Sequence, residues 1–441
     1  MTAVPKLSAA AAEATAATSR PLSLGQNFSW TFVGTGISSA CNWAMLAVLA
    51  KLGTVEMVGL YTLALAISQP IMVFAQLHLR TVQATDAVGQ FDFRDYMGLR
   101  LLMTCVAWVV IAATATVAGF DALTGLVLLA VGADIGFDSI SDVVYGLLQR
   151  HERMDRIAIS MMLRGVVTLT GLAVGFLLSR SVLGAALGAA LGSAAVLLAY
   201  DLPSGAWILR ATAPSVRSSW QALVPRWRVT RLVRLFWLAL PMGVTTMLNS
   251  VNVNVSRYLI ALYLGDRELG IFAASASLIG IGRVFVGALG QAAYPRLSQH
   301  YAAGQTQQFR RLLLRLIAVA ALVGVGGLVA GLVAGRQILT LLFRAEYAQQ
   351  LDVFYWLLVG GVLVYIANSL GVGLTAARFF QIQVPLAIFG ILAIAVSSWL
   401  LIPSGGLTGA AVATALASAL SAVAIFVILY GVLRNAPTVA R

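Results

Sequence analysis

Apolar stretches of about 20 residues, the length a helix needs to cross a bilayer, recur along nearly the whole chain. By that rule there are about twelve. They cover residues 28–51, 56–79, 97–119, 123–148, 157–179, 182–206, 235–263, 269–293, 312–334, 351–376, 381–402 and 407–433. The expected fold class is an all-α membrane protein of about 12 transmembrane helices. Composition excludes an ordinary soluble domain. The chain is 60% hydrophobic and only 10% charged, whereas soluble proteins carry about 25% charged residues.

Lys and Arg number 29 against 16 Asp and Glu, a net charge of +13. In a membrane chain such an excess belongs to the loops that orient helices, and not to a nucleic-acid site. With the N-terminus inside, 21 basic residues fall on the cytoplasmic side and 5 on the other (Lys51, Arg180, Arg267, Arg336 and Arg344). Arg164, Arg257 and Arg283 are left in or near spans. This bias predicts both termini in the cytoplasm.

The spans group into two lobes of six. Residues 1–24, with Lys6, Glu13 and Arg20, read as a disordered cytoplasmic tail. Residues 25–206 form the first lobe and 235–441 the second. Between them, 207–234 is a basic cytoplasmic linker whose Trp220 and Trp227 are interleaved with arginines. It is expected to lie on the anionic inner leaflet. A short amphipathic piece is expected at 335–350, on the outer surface. "LGTVEMVGLYTLALAI" (52–67) and "LGDRELGIFAASASL" (264–278) form an internal repeat in which Glu56, Gly59 and Tyr61 answer to Glu268, Gly270 and Phe272. "LGAALGAALG" (183–192) and "LTGAAVATALA" (407–417) form a second pair. Even numbers of spans per half place a site between halves that share one orientation. Gly184, Gly188 and Gly192, like Gly327, Gly331 and Gly335, form stripes that allow close helix packing.

Polar residues at membrane depth are costly and carry function by default. Asp134, Asp138 and Asp142 recur every four residues, so they share a helix face about 80° wide over roughly 12 Å. They are read as the wall of a water-filled cavity, with Asp142 near its cytoplasmic end. Ser139, Ser141 and Tyr145 lie nearby. Asp134 and Asp138 are candidates for a coupling proton or sodium ion; Asp138 and Asp142 are candidates for sugar contacts. Arg283 lies at mid-span and suits an anionic substrate, since a guanidinium holds phosphate oxygens bidentately; an ion pair with a span-four aspartate is the alternative. Arg164 is shallower and is its helper. Asn249, Asn252 and Ser256 share a face at i, i+3, i+7 and suit sugar hydroxyls, while Asn254 points elsewhere. Pro241 can kink the start of that span. No phosphate-binding loop, metal-ligand spacing or catalytic motif is present, so neither an enzyme nor a metal site is expected. Cys41 and Cys105 lie in apolar spans and are not expected to pair.

The runs "YGLLQRHERMDRIAIS", "LHLRTVQATDAVGQFDFRDYMGLRLL", "LPMGV" and "LGDRELGIFAA", in this order and on this twelve-span layout, resemble bacterial polysaccharide transporters. These are the O-antigen and exopolysaccharide flippases of the multidrug/oligosaccharidyl-lipid/polysaccharide exporter superfamily. In "LLFRAEY", Arg344 stands where the family pattern leads one to expect glycine. The resemblance implies a V-shaped, MATE-like pair of lobes. It implies transport of undecaprenyl-diphosphate-linked oligosaccharide across the bacterial inner membrane by alternating access, for O-antigen (lipopolysaccharide), exopolysaccharide or capsule. Its implied partners are membrane lipids, a polysaccharide polymerase and a chain-length regulator. Arg283 and Arg164 fit a cation-lined lumen. Two alternatives stay open: a cation-coupled multidrug exporter on the same fold, and a membrane polymerase or glycosyltransferase.

Overall fold

The computed structural model describes residues 24–86, 90–212, 223–377, 379 and 382–434, which are helices and short connections with no strand among them. The expected tail, apart from Leu24, and linker residues 213–222 lie outside this set. Helix α1 spans Leu24–Leu52, α2 Val55–Gln76, α3 Leu79–Thr85, α4 Phe93–Val117, α5 Ala122–Arg150 and α6 Met154–Ser179. Then come α7 (Val182–Val196), α8 (Leu202–Thr212), α9 (Val229–Tyr263), α10 (Asp266–Ala302), α11 (Thr306–Leu342), α12 (Leu351–Ala376) and α13 (Gln383–Arg434).

Among the described residues, eleven helices are long and apolar enough to cross a membrane. The last accounts for two of the expected spans. At 1.5 Å per residue, a helix of 52 residues would run about 78 Å, more than twice the bilayer's hydrocarbon thickness of about 30 Å. It is broken at Gly406, whose φ of 55° and ψ of −139° are not helical. Beyond the break the chain comes back on itself: a Cβ on Gly409 would sit 2.0 Å from the carbonyl oxygen of Leu401. The seventh span starts earlier than expected, at Val229, so Arg231 and Arg234 are already helical. Pro241 lies inside this helix and does not mark its start.

The chain forms two compact units. The first holds Ile67–Met247 with the described residues up to Met45; the second holds Leu46–Ala66 and the chain from Leu248. These limits do not follow the 206/235 division expected from loops. A loop marks where polar residues collect, whereas a unit is defined by which helix faces pack together.

In the first unit, the glycine stripe does what its spacing implied. A Cβ on Gly188 would lie 2.0 Å from the oxygen of Gly171, and one on Gly175 would lie 2.1 Å from that of Gly184. Helices α6 and α7 therefore touch backbone to backbone, as small residues allow. The other stripe is uneven: Gly331 has Leu358 Cδ1 2.2 Å from its would-be Cβ, and Gly327 faces open space. In the second unit the repeated turns pack on each other. A Cβ on Gly59 would meet the oxygen of Asp266 at 1.7 Å, and one on Gly270 would meet that of Val55 at 2.2 Å. Gly59 and Gly270, like Val55 and Asp266, differ by 211 in number, so the contact is reciprocal between equivalent positions. Arg267 adds an ion pair with Glu56 at 3.6 Å. Where glycine was expected, Arg344 is extended (φ −134°) and donates from Nε and Nη2 to the oxygen of Lys51 at 3.1 and 2.7 Å. No left-handed turn is needed there.

Candidate functional site

Helix α5 begins at Asp121, whose side chain accepts from the Thr124 amide. Hydrogen bonds from the Thr124 hydroxyl and then its amide hold this carboxyl below the usual carboxylate range. Three turns further on come the three acids, and each reaches a different neighbouring helix. Asp134 accepts from Ser193 of α7. Asp138 forms an ion pair with Arg164 of α6. Asp142 lies 3.0 Å from Arg100 Nη2 of α4 and 3.7 Å from Arg80 Nη1 of α3. The shared face is therefore a packed seam more than an open wall. Asp138, half exposed, is the member that meets open surface. Asp142, expected as a sugar contact, neutralises the fully buried Arg100.

The group that organises this seam is one that sequence reasoning passed over. Between α7 and α8 the chain makes a π-helical turn, Leu197–Asp201, closed by the Leu202 amide donating to the oxygen of Leu197. Pro203 follows, and a proline has no N–H to continue the regular ladder to Ala199; π turns of this kind often mark functional positions. The turn aims Asp201 inward, where only 1% of its side chain is exposed. It accepts from Ser141 at 2.5 Å, from Ser160 and from Arg164 Nη2 at 2.9 Å. Ser160 also shares a hydrogen bond of 2.6 Å with the Tyr145 hydroxyl. Arg80 and Arg164 both stand over the Tyr145 ring, at 5.5 and 5.8 Å from its centroid. The signal for Asp201 was present as a lone acid inside the sixth span, "LLAYDLPSG".

The charges of this seam do not balance locally. Arg164 alone faces three carboxylates: Asp138 and Asp201 in contact, and Asp134 at longer range. One turn away, Arg80 and Arg100 share the single carboxylate of Asp142. Desolvated charges are tolerated only where partners or hydrogen bonds offset the lost hydration. Arg164, expected as a cation for cargo, is engaged by two carboxylates.

The second unit has the opposite character. Arg283 of α10 is exposed and makes no hydrogen bond or ion pair with the described residues of its own unit. Tyr365 packs on the neighbouring Gly282 and donates to the oxygen of Ile279 at 2.6 Å. Arg257 of α9 lies close enough to share an electrostatic field with Arg283. It is held by Asn254, whose Oδ1 accepts from Arg257 Nη1 at 2.9 Å and whose amide donates to the oxygen of Ser250 at 2.8 Å. Of the expected polar face, Asn249 is exposed and Asn252 packs against Gly390. Ser256 is buried, 3.4 Å from Ser398. These three are not brought to one common surface. Asn254, read as pointing elsewhere, is the buried amide with a defined task. Among the described residues no group of three or more His, Cys, Asp or Glu could hold a metal ion.

Eleven helices long enough and apolar enough to cross a membrane define a multi-pass membrane protein, and solved structures share its fold. A multidrug-resistance MATE family transporter in its inward-facing conformation matches with a TM-score of 0.73 at 15% identity, covering 93% of this chain and all of that one. The lipid II flippase MurJ, inward closed, matches with a TM-score of 0.69 at 12% identity, covering 92% of this chain and 90% of that one. At these identities the likeness shows the fold. The chain belongs to the polysaccharide biosynthesis protein family, whose model matches residues 24–301. It is also 26% identical over 386 residues to the capsular polysaccharide biosynthesis protein CapF of Staphylococcus aureus, covering 88% of this chain and 94% of that protein.

Proposed function

We propose that this protein is a flippase that carries an undecaprenyl-diphosphate-linked oligosaccharide across the cytoplasmic membrane by alternating access. It would serve O-antigen, exopolysaccharide or capsule assembly, with both termini in the cytoplasm. The observation that carries the reading is the uncompensated cation of Arg283. A guanidinium without a counter-ion in a spanning helix is expensive, and an anionic cargo supplies what the protein withholds. Arg257, braced by Asn254, adds a second positive charge that repels the first and strengthens the attraction for a diphosphate. The exposed Asn249 serves the sugar hydroxyls, with Asn252 less accessible. The lipid tail stays in the bilayer. The family and the curated capsular relative support the polysaccharide context, and lipid II is the cargo named for a flippase of the same fold. In such a pathway the product would pass to a polysaccharide polymerase and a chain-length regulator.

Energy for the cycle comes from an ion bound in the first unit. Asp134 has a hydroxyl donor from Ser193 but no cation in contact among the described residues, so a proton or sodium ion is suited to complete its neutralisation.

The test is complementation of a strain lacking the gene. An Arg283→Gln variant is expected to abolish surface polysaccharide and to leave lipid-linked repeat units on the inner leaflet. Normal export by a stably inserted Arg283→Gln protein would overturn the assignment. A second reading, a cation-coupled drug exporter, is favoured by one observation, the acid excess around Arg164. Ethidium efflux from a pump-deficient host, with no effect on polysaccharide, would select it.

A further inference from the structure

The two carboxylates that hold Arg164 are not equivalent, and the difference points to a use. Asp201 is buried, comes from the π turn and accepts two serine hydroxyls besides the guanidinium. It has no freedom to leave. Asp138 has half its side chain exposed, and Arg164 is its one partner among the described residues. A guanidinium presents separate edges to two anions. Here Nη2 faces Asp201 and Nη1 faces Asp138. Tyr145, packed beneath the guanidinium and tied to Ser160, keeps it from following a departing partner.

We propose that the Nη1 edge of Arg164 is a second oxyanion station, occupied by the Asp138 carboxylate as an internal stand-in for a phosphate group until cargo displaces it. The ligand class is a phosphate or diphosphate oxyanion. The proposal rests on the lipid-diphosphate reading above and adds a step to it. An arriving phosphate oxygen takes the place of the Asp138 carboxylate in the ion pair with Nη1 and can accept a charge-assisted hydrogen bond from it. The released carboxylate is left without its one cation. Asp134 lies one turn before it on α5, Asp201 holds the same guanidinium, and Asp142, one turn after it, is offset by two arginines. The cations are committed: Arg164 of α6 to Asp201 and the oxyanion, and Arg100 of α4 and Arg80 of α3 to Asp142. His78, beside α3, faces Asp142, Arg80 and Arg100. Asp138 then takes one proton from the buffer acid in solution, its carboxylate becoming a carboxylic acid and the buffer its conjugate base. When the oxyanion leaves, Arg164 recaptures Asp138 and the proton is released. Cargo binding and proton uptake become one event at one guanidinium.

Titration calorimetry on the full chain in nanodiscs, with inorganic pyrophosphate as the probe and two buffers of different ionisation enthalpy, tests this. Wild type is expected to bind with net uptake of about one proton, as the single exchange at Asp138 requires. Asp138→Asn is expected to bind about tenfold tighter and without that uptake. Arg164→Gln in the Asp138→Asn background is expected to cancel the gain. Unchanged affinity and undiminished uptake in Asp138→Asn, in a protein that unfolds at the wild-type temperature, overturn the proposal. If Arg283→Gln alone abolishes pyrophosphate binding and Asp138→Asn changes nothing, the proposal fails while the diphosphate reading stands. Absence of pyrophosphate binding by wild type overturns both.

Discussion

Gly188→Ala adds a single methyl group, yet the geometry predicts a large effect. The new Cβ would lie 2.0 Å from the oxygen of Gly171, where ordinary contact begins at 3.4 Å. The obstacle is backbone, so no rotamer can relieve it. Helices α6 and α7 have to part by about 1.4 Å, and overpacking of this sort costs about 1–3 kcal/mol. The separation does not stay local. Helix α6 carries Arg164 and Ser160, and α7 leads into the π turn that carries Asp201. A parting transmitted along the helices takes the 2.9 Å bond between Arg164 and Asp201 beyond hydrogen-bond range. Losing a hydrogen bond to a buried charge costs about 1–3 kcal/mol more. The expected result is a loss of about 2–6 kcal/mol in all, read as a lowered unfolding temperature in detergent or nanodiscs, together with reduced polysaccharide export. Gly327→Ala is the matched control. Nothing lies within 4 Å of its would-be Cβ, and alanine is the better helix former by up to about 1 kcal/mol. It should be neutral or slightly stabilising. The reasoning is refuted if Gly188→Ala unfolds with wild type and the Arg164–Asp201 coupling, measured by a double-mutant cycle, is undiminished.

Two further predictions concern the ion site and a buried phenol. Asp134→Asn keeps the size of the side chain and removes its charge, so it should shift the pH or sodium dependence of transport more than the affinity for cargo; identical ion dependence in a transport assay would count against an ion at Asp134. Tyr347 lies between α11 and α12, where burial pushes its phenol well above the usual range, and its hydroxyl has no partner among the described residues. Removing an unpaired buried hydroxyl costs little, so Tyr347→Phe should hold or slightly raise the unfolding temperature; a drop of several degrees would reveal a partner for that oxygen.

What could be read from the chain was whatever depends on local pattern. Apolar length defines a spanning helix wherever it occurs, and so the spans, including the two that meet at Gly406, were legible. The glycine spacing at 184, 188 and 192 announced a close helix contact because a four-residue step keeps one face in line. The repeat of Gly59 and Gly270 announced two equivalent turns, and polar residues such as Asp134 and Arg283 stood out against apolar neighbours. None of these patterns carries the identity of a partner. The same four-residue spacing that put three aspartates on one face could not show that Ser193, Arg164 and Arg100 meet them from three separate helices. Asp201 lies 37 residues from Arg164 and reaches it only because backbone-to-backbone packing of α6 on α7 and a π turn before Pro203 bring them together. The exposed Asn249 and the buried Asn254 sit on one helix, and only the neighbours that pack on it decide which amide is free and which one holds Arg257. Ion pairing falls steeply with distance and burial, so which charges are spent within the protein and which remain for a ligand is decided by tertiary structure.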